Sequence, residues 1–176
     1  MFIDTHAHIT SPRLLEGCEE IISRAENASV STIINICTDK LSLKHGIDLS
    51  EKYDNIFTAA ATTPHDVEED GESFFPSIIY EAQRGSLIAI GETGLDYHYM
   101  LSPKELQKEF FVRYLDLALE YDLPLIVHCR DAFDDAFSIL DKDPSYAKLK
   151  GVFHCFTGTE EEAIEAVARG WYISFS

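Results

Sequence analysis

The 176-residue chain has no apolar stretch long enough to cross a bilayer and no basic-then-apolar leader ahead of its first strand-like run. Neither a transmembrane span nor a secretory signal is therefore expected. Basic residues are scarce: 14 Lys and Arg stand against 31 Asp and Glu, a net charge of −17. That balance opposes a broad cationic footprint for nucleic acid and disfavours anionic membrane surfaces. A phosphate ester bound by such a chain needs metal ions to supply much of the attraction. The four cysteines, Cys18, Cys37, Cys129 and Cys155, form no C-x-x-C pair, which fits a reduced, cytoplasmic protein. All four are expected to be small buried hydrophobes. There is no internal repeat, low-complexity stretch or interdomain linker, and 45% hydrophobic residues suffice for one sizeable core. A single domain over 1–176 is expected.

What is present is an alternation. Seven short β-branched or apolar runs, at 2–5, 31–36, 56–61, 87–91, 125–128, 151–156 and 171–175, are separated by longer segments of helical period. This is the signature of βαβ units and a parallel sheet. Helices are expected over 12–27, 42–52, 73–84, 102–121, 131–141 and 159–169. The fourth is expected to start on a Ser102 cap with Pro103 in its first turn and Glu105 closing a capping box. The last has Thr159 as a cap, a Glu three residues on and Gly170 as a stop. Seven β/α steps approach the eight of a TIM-type barrel, so the expected fold is an α/β barrel with about seven of eight strands, incomplete at the C-terminus. An open seven-stranded sheet is the structural alternative. In either, the first and seventh strands leave edges on which the chain can self-associate.

Four of the strand-like runs end in a potential ligand: FIDTHAH gives His6 and His8, LIAIGETG gives Glu92, LPLIVHC gives His128 and GVFHCF gives His154. Ligands from the ends of separate parallel strands can converge at the mouth of a barrel, and imidazole with carboxylate suits Zn, Mn and similar divalent ions. His6 and His8, two apart on a strand, project to the same side. Asp4 shares their parity. A carboxylate such as Glu92 can bridge two ions, and ions a few ångströms apart can clamp a substrate oxygen and activate a water. His65, in the loop after the third strand, and Asp96, in the Gly-rich loop after Glu92, are candidates for substrate contact or for orienting a ligand. Arg130 has a fork suited to phosphate oxygens, although Asp131, Asp134 and Asp135 are its expected partners. Cys129 and Cys155, each following a ligand, are expected to turn away from it toward the covering helices.

Together FIDTHAH at 2–8, GETGLDY at 91–97, the 107–132 segment ending LPLIVHCRDA, and GVFHCFTGTEEEA at 151–163 followed by GWYISFS resemble the TatD family of metal-dependent deoxyribonucleases and hydrolases, within the wider amidohydrolase-like barrels. The resemblance implies two divalent ions (Zn, Mg, Mn, Ni or Co). His6 and His8 would hold one, His128 and His154 the other, with Glu92 as the bridging catalytic carboxylate. It also implies cleavage of phosphodiester bonds in DNA, of the 3′-to-5′ exonuclease type. Two departures stand out. No residue here corresponds to the Asp that family members commonly carry after strand eight, and Ala61, Thr62 and Thr63 precede Pro64 and His65 where G-x-H-P-H is usual. Two other functions stay open at this point: an amide or ester hydrolase acting on a small molecule, and a shortened metal-binding protein without turnover.

Overall fold

The computed structural model describes residues 1–175; Ser176, the last residue of GWYISFS, lies outside them. Seven strands form one sheet in sequence order: β1 (Phe2–Ala7), β2 (Val30–Cys37), β3 (Ile56–Ala60), β4 (Ala89–Asp96), β5 (Leu125–Arg130), β6 (Gly151–Phe153) and β7 (Tyr172–Ile173). Every neighbouring pair is parallel, so each connection must cross over. The crossovers carry α1 (Cys18–Asn27), α2 (Lys40–Lys52), α3 (Gly71–Gln83), α4 (Lys104–Tyr121), α5 (Phe133–Leu140) and α6 (Glu160–Ala168).

The sheet curls. β1 and β6 are five strands apart, about 24 Å across a flat sheet, yet the rings of His6 and His154 stack at 4.1 Å. Only a barrel-like curvature brings them together, which decides against the open sheet. Alternation then sorts each strand into two faces. Ile36, Ala59, Ala89 and Ile126 pack inside, with Ile34 and Val152 beside them. The outward residues meet the helices in a larger core that includes Ile90, Leu95, Val127, Cys129 and Phe153.

α4 supplies the thickest part of that outer core through Phe110, Phe111, Tyr114 and Leu115, each at most 1% exposed. Each such side chain contributes about 1.5–3 kcal/mol on burial. The predicted capping box of this helix does not form. Pro103 occupies the N-cap with no side-chain cap bond, and Ser102 is buried, its hydroxyl donating to the His65 carbonyl and accepting from the Glu68 amide. The box at α6 is present in full, with Thr159 and Glu162 each bonding the other's backbone. α3 begins at Gly71, ahead of the predicted start, and takes Pro76 inside the helix.

Two strands differ from expectation in ways that matter for the site. β4 begins at Ala89 and runs on through GETGLD to Asp96, buried over its whole length, although its glycines suggest a loop. Gly94 adopts φ +136°, and a Cβ there would lie 2.0 Å from the His128 carbonyl oxygen. A side chain would therefore separate β4 from β5 at the height of the site. β6 stops at Phe153, so strand alternation no longer governs the residues beyond it. Cys155 turns through a left-handed φ of 47° and is exposed, against the prediction of a buried thiol. Cys37 and Cys129 are buried as expected, while Cys18 is half-buried.

Candidate metal centre

The five predicted ligand residues meet around one carboxylate. Glu92 sits at a break in register between β4 and β5, where Gly91 pairs with Ile126 and Thr93 already with Val127. The extra residue is a bulge, a device that re-aims a side chain, and it carries Glu92 into the mouth of the barrel, where it is 8% exposed. Its two oxygens divide the histidines between them. Oε2 faces His6 Nε2 at 3.2 Å and His8 Nε2 at 3.6 Å, while Oε1 faces His128 Nδ1 at 3.1 Å and His154 Nε2 at 2.8 Å.

Several of these contacts are poor as hydrogen bonds. His154 Nε2 lies near Oε1 but is not aligned to bond it, and it is buried without a partner, as is His6 Nδ1. The Nε2 atoms of His6 and His8 approach to 3.2 Å, although neutral imidazole has a single N–H to share. Lone pairs crowded onto a buried carboxylate, one of them orphaned, fit a cation between donors, and the set of imidazole and carboxylate suits a divalent ion.

The electrostatics point the same way. Burial by itself raises the Glu92 carboxyl, but contacts from His128, His154 and His6 outweigh it and hold the group well below the usual carboxylate range. Burial dominates at His8, lowering its pKa despite the pull of Glu92, with His6 and His154 adding to the fall. Low proton affinity at both keeps them available as ligands.

A second carboxylate lies four residues on. Asp96, fully buried at the end of β4, accepts on Oδ2 from His65 Nε2 at 2.9 Å and His128 Nε2 at 2.8 Å. Its Oδ1 accepts from the backbone amides of His98 and Tyr99 at 3.0 and 2.7 Å. Burial opposes these bonds, yet together they bring the Asp96 carboxyl down to about 2. His128 thus faces a carboxylate with each nitrogen. Burial lowers its pKa, but Glu92 and Asp96 reverse the direction and raise it overall. Both His6, Glu92, His154 and His65, Asp96, His128 bring three donors within metal-binding reach of one another.

The remaining predicted residues fall as follows. Asp4 is exposed and accepts the His6 backbone amide rather than touching the ring of a candidate ligand. Arg130 lines the same cleft of about 650 Å³ as His6, His8, Glu92, His128 and His154. It does not pair with Asp131, Asp134 or Asp135: Asp131 is taken by His98, and Asp135 by Lys108 and Tyr97. Cys129 and Cys155 also border this cleft. Sequence reasoning missed Gln107, which is wholly buried. Its side chain clasps Asp96, accepting from its amide at 2.8 Å and donating to its carbonyl at 3.2 Å. The signal was available: a glutamine one turn before Phe110 and Phe111 on the buried stripe of α4 has no place there without polar partners.

Comparison with known proteins identifies the family. The family profile described as "TatD related DNase" matches residues 3–176. The "Uncharacterized metal-dependent hydrolase YabD" of Bacillus subtilis is 37% identical over 175 residues, 99% of this chain and 68% of that protein. The "3'-5' ssDNA/RNA exonuclease TatD" of Escherichia coli K12 is 32% identical over 174 residues, 98% of this chain and 66% of that one. The chain thus spans about two thirds of the length of the curated relatives it matches. Among solved structures, the TatD homologue YJJV of Escherichia coli K12 superposes with a TM-score of 0.87 at 28% identity, covering 98% of this chain and 66% of that one. An organophosphorus hydrolase variant at 13% identity, TM-score 0.64, shares the fold alone. Profile, sequence relatives and superposition agree, and the chain belongs to the TatD family.

Proposed function

We propose that residues 1–176 act as one metal-dependent hydrolase domain that cleaves phosphodiester bonds in single-stranded nucleic acid, with Glu92 at its centre. The observation that carries this reading is the division of one buried carboxylate between two imidazole pairs. On it, His6 and His8 together with Glu92 would hold one divalent ion, and His128 and His154 together with Glu92 would hold a second. Bound there, divalent ions would supply Lewis acidity toward a phosphoryl oxygen and a lowered pKa for the attacking water.

The protein's own groups do the rest. Glu92, unprotonated at neutral pH, fixes the spacing of the two donor pairs. Asp96 accepts the Nε2–H of His128, which leaves the Nδ1 lone pair turned toward Glu92 and holds the ring in one tautomer. His65 binds the same Asp96 oxygen and so acts through the carboxylate it braces. The names of the relatives, an exonuclease on single-stranded DNA and RNA among them, support a nucleic-acid substrate. With a net charge of −17 on the chain, the attraction for that substrate must be local to the cleft.

The test is hydrolysis of an end-labelled single-stranded oligonucleotide with Mn²⁺, Mg²⁺ or Zn²⁺, run beside a panel of small amides and esters. Metal-dependent shortening of the strand, abolished by Glu92→Gln, is the expected result. Turnover of the amides alone overturns the phosphodiester reading.

A further inference from the structure

Arg130 is the one Lys or Arg among the described residues that line the metal cleft. It lies two residues after His128 on β5, on the same inward face and about 6–7 Å farther toward the mouth. Among the described residues no ion pair joins it to a carboxylate: Asp131 is engaged by His98, and Asp135 by Lys108 and Tyr97, and Arg130 instead stacks its guanidinium 5.0 Å over the ring of Tyr99. A single long hydrogen bond, Nη1 to the Tyr99 hydroxyl at 3.3 Å, uses one of five donors. Tyr99 is in turn set by edge contacts from His65 and His98 and by its amide on Asp96. A half-buried, pre-positioned guanidinium without a carboxylate, in a chain with more than twice as many acids as bases, awaits an anion.

We infer that Arg130 binds a backbone phosphate of the substrate one linkage away from the bond being cut, and that Tyr99 is the positioning residue that holds its fork in place. This rests on the phosphodiester reading and sharpens it to a substrate with at least two successive phosphates. The planar fork suits two phosphate oxygens at once. Its distance from Glu92 along the barrel wall separates this contact from the centre itself.

Binding of a fluorescein-labelled, cleavage-resistant phosphorothioate strand by the full chain, followed by anisotropy across a salt series with MnCl₂ and again in EDTA, tests the assignment. Arg130→Gln is expected to weaken binding on the order of tenfold and to make the slope of log K against log [salt] shallower by about 0.7, the loss of one phosphate contact on a single strand. Arg130→Lys should recover most of the slope. Lys148→Gln, on the exposed turn preceding β6, should leave it as in the wild type. Neutralising one linkage at a time as methylphosphonate should locate a sensitive position next to the scissile bond in the wild-type protein, a scan that needs no variant to fold. A wild-type slope in Arg130→Gln, or a scan with no sensitive neighbouring linkage, overturns the assignment while the nuclease reading stands. If the wild-type chain neither binds nor cuts any strand, the phosphodiester reading falls and this one with it.

Discussion

Two buried carboxylates, Glu92 and Asp96, stand four residues apart on one strand and share His128 between them, yet their surroundings are opposite in kind. Around Asp96 every acceptor is filled: two backbone amides on one oxygen, two imidazoles on the other. Around Glu92 the partners are imidazoles alone, packed too closely and left with an orphaned nitrogen at His154. A carboxylate has about four lone-pair sites. Asp96 has used its four within the fold, whereas Glu92 and its histidines have lone pairs left over. On the reading proposed above, the difference marks the Asp96 cluster as one that holds side chains and the Glu92 cluster as the one that would hold cations.

The most damaging way to break this contrast is Glu92→Gln. It removes the charge both imidazole pairs face, and we expect metal-dependent turnover to fall by at least about 10³-fold, with weaker uptake of Mn²⁺ in a calorimetric titration. Asp96→Asn should do less. It leaves the four imidazoles and Glu92 in place but loosens His128, so metal affinity should fall about 10–100-fold while binding persists; a loss equal to that of Glu92→Gln would merge the two roles.

Acid titration of the metal-free protein sharpens the comparison further. The Asp96 carboxyl, lowered to about 2 in the folded state, binds its proton more readily when unfolded, so its stabilisation is present above pH ~4 and lost as pH falls toward 2. That contribution is on the order of 2 kcal/mol. Urea unfolding at pH 5 and pH 2.5 should show a steeper loss in the wild type than in Asp96→Asn; parallel curves would contradict it. The smallest effect expected is that of Gln107→Leu, which strips the clasp from the Asp96 backbone and should cost about 1–3 kcal/mol of unfolding free energy at neutral pH, with metal affinity reduced less than in Asp96→Asn.

How much of this could be read in advance follows from what each feature depends on. His6, His8, His128 and His154 were legible because strand alternation and strand ends are written in the sequence itself, and so was the α6 capping box. Glu92 was legible as a candidate ligand, but its aim depends on a bulge, and Gly94 marks that close approach only once β5 is known to lie against it. Asp96 reads as a loop residue because GETGLD is rich in glycine; burial on both faces is what makes it a strand. Ser102, a plausible cap, was claimed instead by His65 and Glu68 through a tertiary contact. Cys155 went the wrong way because β6 ends two residues before it. Of the acidic partners expected for Arg130, Asp131 and Asp135 are taken in space by His98, Lys108 and Tyr97.

The most direct measurement is anomalous diffraction from crystals soaked in Mn²⁺ or Zn²⁺. Peaks on the two sides of Glu92, one beside His6 and His8 and the other beside His128 and His154, with none at Asp96, are the predicted result. A peak seated among His65, Asp96 and His128, with the Glu92 cluster bare, would contradict it.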